Sequence, residues 1–370
     1  MKRKMISMVV VAAVVMITMS GCGGLGNASA TGAKVTQDTA SKDTESKQSA
    51  SEASSEVDTS KATTVIKVSN GASESSPGVQ AQISTFKKLV EEKSGGKIKV
   101  EIYSGGQLGD DTKGTEACRA GQLEMVNTST APLVGLVPEL AIFDIPFLFN
   151  NNEMADKVVE GEIGDYINAK LEAKGLINLA WNENGFRDLT NSVKVVQSPA
   201  DLKGLKIRTM ENKYHLEAWK LMGASPTPMS WSEVFTALQQ ETIDGQENPI
   251  PNFYSTRIQE VNKYITITHH IYSPFLLLSS KEIFDKYDEE TQNIIREAAQ
   301  AYGLAEKELN RAETETKKKA LVEEGCTVTD LTNEERQAFK EITAPVWDSV
   351  EKAVGSEIIE KLKAAIEAAR

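Results

Sequence analysis

The sequence is poor in the residues that build disulfide networks and metal sites, since its 370 residues include only three Cys and three His. Three Cys cannot form a disulfide framework, and three His argue against a His-rich metal centre. Aromatic residues contribute only 6%, but 40% hydrophobic and 25% charged residues are ordinary for globular proteins. This composition excludes a fibrous or wholly disordered chain.

Positive charge is also in deficit, because 41 Lys and Arg residues face 53 Asp and Glu residues, a net charge of −12. Proteins that bind nucleic acids gain most of their affinity by neutralising phosphates with Lys and Arg. We therefore expect no nucleic-acid partner.

Familiar catalytic motifs are missing as well. The chain has no Gly-x-Ser-x-Gly, no phosphate-binding loop, no His-Glu-x-x-His and no Cys-x-x-Cys. The only His pair, His269 and His270, lies in a predicted strand, where neighbours point to opposite faces and are poorly placed to share a metal ion. We expect a binding protein rather than an enzyme, with no metal and no cofactor, although catalysis by one of the many carboxylates stays open.

The first 22 residues have the pattern of a bacterial lipoprotein signal. Basic residues 2–4 precede an apolar run at 5–18 that is too short to span a membrane comfortably. Residues 19–22, Met-Ser-Gly-Cys, resemble a lipobox, which implies cleavage before Cys22 and a lipid anchor on Cys22. The alternative is an ordinary signal peptide that contains a Cys.

Residues 23–63 predict a disordered tether. The segment has no aromatic residue and consists mainly of Ser, Thr, Ala, Lys, Asp and Glu. Such a composition buries too little apolar surface to offset the chain entropy lost on folding. A lipid anchor followed by this tether would hold a folded body just outside the cell membrane.

Alternating strand and helix patterns begin at about Thr64. Strands are predicted at residues 65–68, 97–103 and 125–128, with helices at 79–93 and 112–120 between them. This order predicts an open, mainly parallel sheet, whose ligands bind beyond the carboxyl ends of the strands. Asn70, Asp111 and Ser129 lie near those ends and are candidate site residues.

The same pattern returns in the second half of the chain. Strands are predicted at 176–181, 204–208, 263–269 and 275–279, and helices at 212–221 and 231–240. We predict two sheet-based lobes, lobe I from residues 64–184 and 274–313 and lobe II from residues 185–273 and 314–370. A helical pattern over 288–323, interrupted only by Gly303, would be about 54 Å long and is expected to span both lobes.

Two arginines stand out as anion-binding candidates, because only nine of the 41 basic residues are Arg. Arg187 and Arg208 each lie beside a Gly and an apolar strand pattern. A guanidinium binds a carboxylate through two parallel hydrogen bonds, which Lys cannot do. An internal ion pair is the alternative for each. Trp231 is either a ligand wall or a core residue, and Asn248 either a ligand donor or a turn residue.

These motifs together resemble the solute-binding proteins of tripartite ATP-independent periplasmic (TRAP) transporters, the DctP family. The resemblance extends from about Val65 to the C-terminus. It is carried by the segments Ser104-Gly105-Gly106-Gln107-Leu108-Gly109-Asp110, Asn184-Gly185-Phe186-Arg187, Leu205-Lys206-Ile207-Arg208, Gly223-Ala224-Ser225-Pro226-Thr227-Pro228-Met229, Ser232-Glu233-Val234 and Asp244-Gly245-Gln246-Glu247-Asn248-Pro249.

The resemblance implies a two-lobed α/β fold of the periplasmic-binding-protein (Venus flytrap) type with a long helix spanning both lobes. It also implies roles for residues around the cleft: a carboxylate-binding Arg208, a second Arg187, a ligand-contacting Asn248, an aromatic wall at Trp231, and first-lobe positions Asn70 and Asp111. Its partners would be a small organic acid and the membrane permease subunits of the transporter.

The ligand is expected to be an organic acid, with a hexuronate such as D-glucuronate first and C4-dicarboxylates second. Ser129 stands where sialic-acid-binding members carry Glu, which argues against sialic acid, and the indole of Trp231 suits a cyclic sugar acid. A receptor that signals, or an extracellular enzyme acting on sugar acids, are the alternatives from other functional classes.

Overall fold

The structure, a computed structural model, describes residues 57–370. The predicted signal peptide, the lipidation site at Cys22 and most of the predicted tether lie outside the described residues. The described part is a mixed α/β fold with nine strands. These are β1 (Thr64–Asn70), β2 (Ile98–Tyr103), β3 (Met125–Ser129), β4 (Leu176–Asn191), β5 (Lys206–Thr209), β6 (Ser225–Pro228), β7 (Gly245–Asn248), β8 (Tyr264–Ser280) and β9 (Thr327–Asp330).

Thirteen α-helices cover this sheet in the described residues. They are α1 (Pro77–Ala81), α2 (Lys88–Lys93), α3 (Asp111–Arg119), α4 (Asn152–Val159), α5 (Glu162–Glu172), α6 (Lys213–Leu221), α7 (Trp231–Gln239), α8 (Ile250–Ser255), α9 (Lys281–Phe284), α10 (Glu289–Glu323), α11 (Asn333–Thr343), α12 (Pro345–Val354) and α13 (Ser356–Ala369). A π-helical turn, Gln82–Lys87, joins α1 to α2, so the single helix predicted there is locally widened.

The strands form one sheet in the order β2-β1-β3-β8-β4-β7-β5-β6, with β9 paired to β8. The outer pairs β1–β2, β1–β3, β5–β6 and β5–β7 are parallel. The central contacts β3–β8, β4–β8 and β4–β7 are antiparallel. The prediction of a mainly parallel sheet therefore holds on either side but is wrong at the centre, where two long strands run in opposite directions.

The long strands β4 and β8 carry the chain from one half of the sheet to the other. Their pairing runs from Leu176↔Ser280 to Asn191↔Tyr264, with register shifts at three places. The prediction of two strands, 263–269 and 275–279, is wrong because β8 continues through Pro274. Proline is tolerated within a sheet at a bulge, and Pro274 pairs beside the register shift that precedes Gly185.

The helix α10 spans both halves of the molecule, as predicted. Its 35 residues give a length of about 52 Å. Ile295 and Tyr302 pack in the core beneath β1 and β2, whereas Leu321 packs in a separate core with α7 and α8. A Cβ atom at Gly303 would lie 2.8 Å from the carbonyl oxygen of Trp181, so glycine lets the helix lie directly against β4.

The two C-terminal helices, which the sequence analysis assigns to lobe II, pack against helices from both halves of the chain. Val346 in α12 and Ile359 and Leu362 in α13 are buried in one cluster with residues of α4 and α5, which belong to predicted lobe I. The same cluster includes Tyr214 of α6, so the end of the chain bridges the two halves. Apolar surface, rather than chain order, decides where this segment packs.

Cys118 and Cys326 are both buried and both free. Within residues 57–370, no helix combines the length and hydrophobicity needed to cross a bilayer.

Candidate functional site

A cavity with about 670 Å³ of empty space, part of it open to solvent, lies where strands from the two halves of the sheet end, close to the long crossing strands. All seven residues selected from the sequence line this cavity, which are Asn70, Asp111, Ser129, Arg187, Arg208, Trp231 and Asn248. The structure thus brings together residues that are up to 178 positions apart in the chain.

Arg208, near the end of β5, lines the cavity with a positive charge that no carboxylate of the described residues pairs with. Its Nε and Nη2 atoms donate to the carbonyl oxygen of Met229 at 2.8 and 2.5 Å, but Nη1 is buried and has no partner. Its guanidinium lies 5.5 Å from the ring centroid of Trp231. Burial lowers the pKa of Arg208 to about 10, so the side chain is still charged at neutral pH.

No carboxylate among the described residues forms an ion pair with Arg208, although Asp111, Glu211 and Glu247 lie near enough to act on its charge. The alternative of an internal ion pair therefore does not apply to this arginine. A buried cation with a free N–H is a costly arrangement unless an anion completes it.

Arg187 has the opposite arrangement. Its side chain is completely buried and paired with Glu247, with Nε 2.5 Å from Oε2 and Nη2 2.9 Å from Oε1. His270 lies 3.1 Å from the same carboxylate. Burial would raise the pKa of Glu247, but the charge of Arg187 and the hydrogen bond from His270 outweigh burial and hold this pKa well below its usual range. For Arg187 the internal ion pair is observed, and only Nη1 is left without a partner.

A chain of amides orients the wall of the cavity beside β7. Asn252 in α8 donates to Asn184 at 2.9 Å, and Asn184 donates to the Oδ1 atom of Asn248 at 2.9 Å. Asn248 therefore turns its NH2 group, which has no partner in the described residues, away from Asn184. Asn248 is the last residue of β7 rather than part of a turn.

Polar side chains from β1 and β3 form the facing wall. Asn70 and Gln82 exchange two amide hydrogen bonds of 2.7 and 3.3 Å, which fix the Asn70 side chain. The hydroxyl of Ser129 lies 3.3 Å from that of Ser273. Asp111 is only half-buried as a residue, but burial of its carboxyl raises the pKa to about 6.

Several cavity residues were not selected from the sequence, namely Asn127, Asn184, Asn252 and Phe275. Asn127 is separated by two positions from Ser129, so strand alternation places both on one face and could have revealed it. Asn184 lies in a motif that carried the resemblance. Nothing in the sequence distinguished Asn252 or Phe275.

The two predicted lobes touch each other around the cavity. The hydroxyl of Ser230 donates to Asp110 at 2.9 Å, and the hydroxyl of Thr112 donates to Glu211 at 3.4 Å. On the other side, the hydroxyl of Ser73 donates to the carbonyl of Ser255 at 3.4 Å. These bonds join segments on either side of the cavity and partly enclose it.

Metal ligands do not converge on the site. In the part of the chain that the structure describes, no group of three or more His, Cys, Asp and Glu residues is arranged to hold a metal ion. The cavity offers donors and acceptors for hydrogen bonds, one free cationic group and one indole ring. This is the chemistry of a reversible binding site for a small polar anion.

The fold and the cavity define an α/β solute-binding protein. Residues 68–353 match the family model of bacterial extracellular solute-binding protein, family 7, and the chain belongs to this DctP family, the solute-binding proteins of TRAP transporters.

Individual relatives support the same assignment. A solute-binding protein of Verminephrobacter eiseniae is 41% identical over 312 residues, which cover 83% of this chain and 91% of the relative. The 2,3-diketo-L-gulonate-binding periplasmic protein YiaO of Escherichia coli is 38% identical over 256 residues, 69% of this chain and 77% of the relative. The crystal structure of the sugar acid binding protein of Advenella mimigardefordensis with galactonate has a TM-score of 0.81 at 36% identity, and covers 83% of this chain and 98% of that one.

Proposed function

We propose that this protein captures a six-carbon sugar acid through an ion pair between the ligand carboxylate and Arg208, and delivers the acid to a TRAP membrane permease. One observation carries the proposal. Arg208 keeps a buried, charged N–H group without a partner in a cavity, and no carboxylate of the described chain pairs with it.

The number of free charges favours a monocarboxylate. Arg187 also lines the cavity, but Glu247 already neutralises it. A C4-dicarboxylate would bring two negative charges to a site with one uncompensated cation, and a second buried carboxylate without a partner is strongly disfavoured.

The remaining walls favour a ligand with many hydroxyl groups. Amides can donate to and accept from hydroxyls, and Asn127 and Asn248 each keep an NH2 group without a partner in the described residues. One charged hydrogen bond contributes about 1.5–3 kcal/mol and a neutral one about 1 kcal/mol. A bidentate ion pair and several hydroxyl bonds can therefore reach the roughly 8 kcal/mol that micromolar affinity needs.

Two ligand shapes fit this description. The flat ring of Trp231 beside Arg208 suits a cyclic hexuronate such as D-glucuronate, which is our first candidate. An open-chain sugar acid is the second candidate, because one similar structure contains galactonate and one relative is named for 2,3-diketo-L-gulonate.

Calorimetric titration of the folded body tests the proposal with D-glucuronate, D-galactonate, succinate and uncharged glucose. We expect micromolar binding of at least one sugar acid and no binding of glucose. Arg208→Lys keeps the charge but loses the guanidinium fork, and should weaken binding at least about tenfold. The matched control is Arg257→Lys, at an exposed arginine outside the cavity. Equal affinity of the wild type and Arg208→Lys would contradict the proposal.

Delivery to the permease requires that loaded and empty protein differ in shape. A ligand that contacts both walls favours the closed arrangement, because only that arrangement makes all the contacts. The bonds between Ser230 and Asp110 and between Ser73 and Ser255 are the contacts expected to form on closure. Small-angle scattering should show compaction on saturation with a tight ligand, and an unchanged radius of gyration would contradict the closure.

Membrane attachment is the last part of the proposal. A lipid on Cys22 would keep the protein at the outer side of the cell membrane, near the permease. Mass spectrometry of the protein from its native bacterium should find an acylated N-terminal Cys22. Recovery of an unmodified chain from the medium would instead support an ordinary signal peptide.

A further inference from the structure

A second, smaller cavity, part of it open to solvent, adjoins the first. The two cavities share part of their lining, including Asn70, Asn127, Asn252 and Phe275. Arg208 lines only the first cavity, whereas Glu306 of α10 lines only the second. The second cavity therefore extends the first, away from the carboxylate-binding arginine and towards the long helix.

Glu306 is an unusual residue for such a place. It is only 2% exposed, and its Oε2 atom accepts a hydrogen bond from the backbone N–H of Glu183 at 2.9 Å. Its Oε1 atom has no partner among the described residues. A side chain whose role was only packing would be apolar, because burial of a polar group is costly unless the group is hydrogen-bonded.

The basic residues next to Glu306 are already used by other acids. Arg311 binds Glu183 and Asp156, each at 2.8 Å, and Lys307 binds Asp156 and Glu160. Burial, followed by the charge of Glu183, raises the pKa of Glu306 well above its usual range. The raised pKa favours the protonated form of Glu306, and a protonated carboxyl group can donate one hydrogen bond and accept others.

Asn252 supplies a second polar group for the same region of the cavity. It is 9% exposed, lines both cavities, and gives its NH2 group to Asn184. Its Oδ1 atom is buried and has no hydrogen-bond partner. The shared lining of the two cavities therefore contains Asn252, whose amide oxygen has no donor, and the second cavity contains Glu306, whose Oε1 atom has no partner among the described residues.

We propose that Glu306 and Asn252 form a second subsite, which binds the terminal hydroxyl end of an open-chain sugar acid whose carboxylate lies on Arg208. The ligand hydroxyl donates to Asn252 and accepts from Glu306, so both unsatisfied groups are paired. This inference rests on the proposed function and selects the extended candidate, because an open chain reaches further from its carboxylate than a ring with the same number of carbons.

The subsite also explains how other acids are rejected. No Lys or Arg of residues 57–370 lines the second cavity, and the nearby Lys307 and Arg311 are held in ion pairs. A second carboxylate there would meet the carboxyl groups of Glu306 and Glu183 and no free cation to balance its charge. A ligand with an apolar end would leave Glu306 and Asn252 unpaired, and sites built to bind a hydroxyl discriminate strongly against analogues that lack it.

The test compares D-galactonate with 6-deoxy-D-galactonate, which lacks only the terminal hydroxyl. The wild type should bind D-galactonate at least about tenfold more tightly than the deoxy acid. Glu306→Leu should bind the two acids within about twofold of each other, whereas Glu306→Gln, which keeps a donor and an acceptor, should retain most of the difference. Glu308→Leu, at an exposed position two residues further along α10, is the matched control and should behave like the wild type.

The relative loss of affinity for the two acids shows whether Glu306 binds the ligand or only supports the fold. If Glu306→Leu weakened both acids equally, Glu306 would act through the fold and the inference would be overturned. If Glu306→Leu did not fold, Asn252→Ala would provide the same comparison, and an undiminished preference for D-galactonate in that variant would overturn the inference. If the wild type bound D-galactonate and 6-deoxy-D-galactonate equally well, the proposed subsite would be overturned, but the proposed function would stand. A wild type that binds no sugar acid overturns the proposed function as well.

Discussion

Replacement of Glu247 by Gln should strongly destabilise the protein. Glu247 is completely buried and accepts charged hydrogen bonds from Arg187 at 2.5 and 2.9 Å, and His270 lies 3.1 Å from it. Gln keeps one acceptor oxygen but places an NH2 group against a guanidinium. One or two charged hydrogen bonds are lost, each of about 1.5–3 kcal/mol, and Arg187 is left as a buried charge without compensation. We expect a loss of about 3–5 kcal/mol in the free energy of unfolding.

Urea denaturation at pH 7.5 measures this loss. The matched control is Glu260→Gln, which breaks the exposed ion pair with Arg257, whose two side chains are 54% and 76% exposed. The control should lose less than about 1 kcal/mol. A loss below about 1.5 kcal/mol for Glu247→Gln would refute the view that this pair anchors the centre of the site.

The pH dependence of the same variant has a definite sign. The folded-state pKa of Glu247 lies below its ordinary value of 4.5, so its ionisation stabilises the folded state. This contribution is fully present above pH 4.5 and is lost as the pH falls further towards the folded-state pKa. The difference between wild type and Glu247→Gln should therefore be constant from pH 8 to 5 and shrink below pH 4.5.

Two further predictions concern the cavity. Burial raises the pKa of Asp111 to about 6 from an ordinary value of 3.8. Ionised Asp111 therefore destabilises the folded state above pH 6, and this destabilisation is lost as the pH falls from 6 towards 3.8. Asp111→Asn should thus raise the free energy of unfolding by up to about 3 kcal/mol at pH 7.5 and have little effect on it at pH 3.5. A difference between variant and wild type that is the same at both pH values would contradict this prediction. Trp231→Leu removes the ring beside Arg208 and should weaken sugar-acid binding about tenfold in calorimetry, whereas Trp347→Leu, outside the first cavity, should not change it.

Local patterns were sufficient for the elements that carry one regular apolar face. The long helix α10 and the strands β1, β2 and β3 follow the apolar periodicity of their sequences closely. The candidates Asn70, Asp111 and Ser129 were found because parallel strands place their carboxyl ends at one edge, and polar residues at those ends are visible in the sequence.

The crossing strands could not be predicted in full because their central residues are buried and polar. Glu183, Asn184 and Arg187 in β4 and His270 and Ser273 in β8 read as a break in an apolar pattern. In the folded protein these side chains pair with one another or line the cavity, so their polarity reflects the site rather than a loop.

The different states of the two arginines were equally invisible in the sequence. Glu247 lies opposite Leu189 in the register of β4 and β7, which places its carboxylate against Arg187. Arg208 lies on the next strand and bonds to the carbonyl of Met229 instead. Strand order and register decide which arginine is neutralised and which is free, and neither follows from the spacing of residues along the chain.

A crystal structure of the protein with its sugar acid tests the central claim most directly. We predict that a carboxylate oxygen of the ligand lies about 2.7–2.9 Å from Nη1 of Arg208. We also predict that the Arg187–Glu247 pair stays intact beside the ligand. A carboxylate bound elsewhere, with Arg208 still bonded only to Met229, would contradict the account.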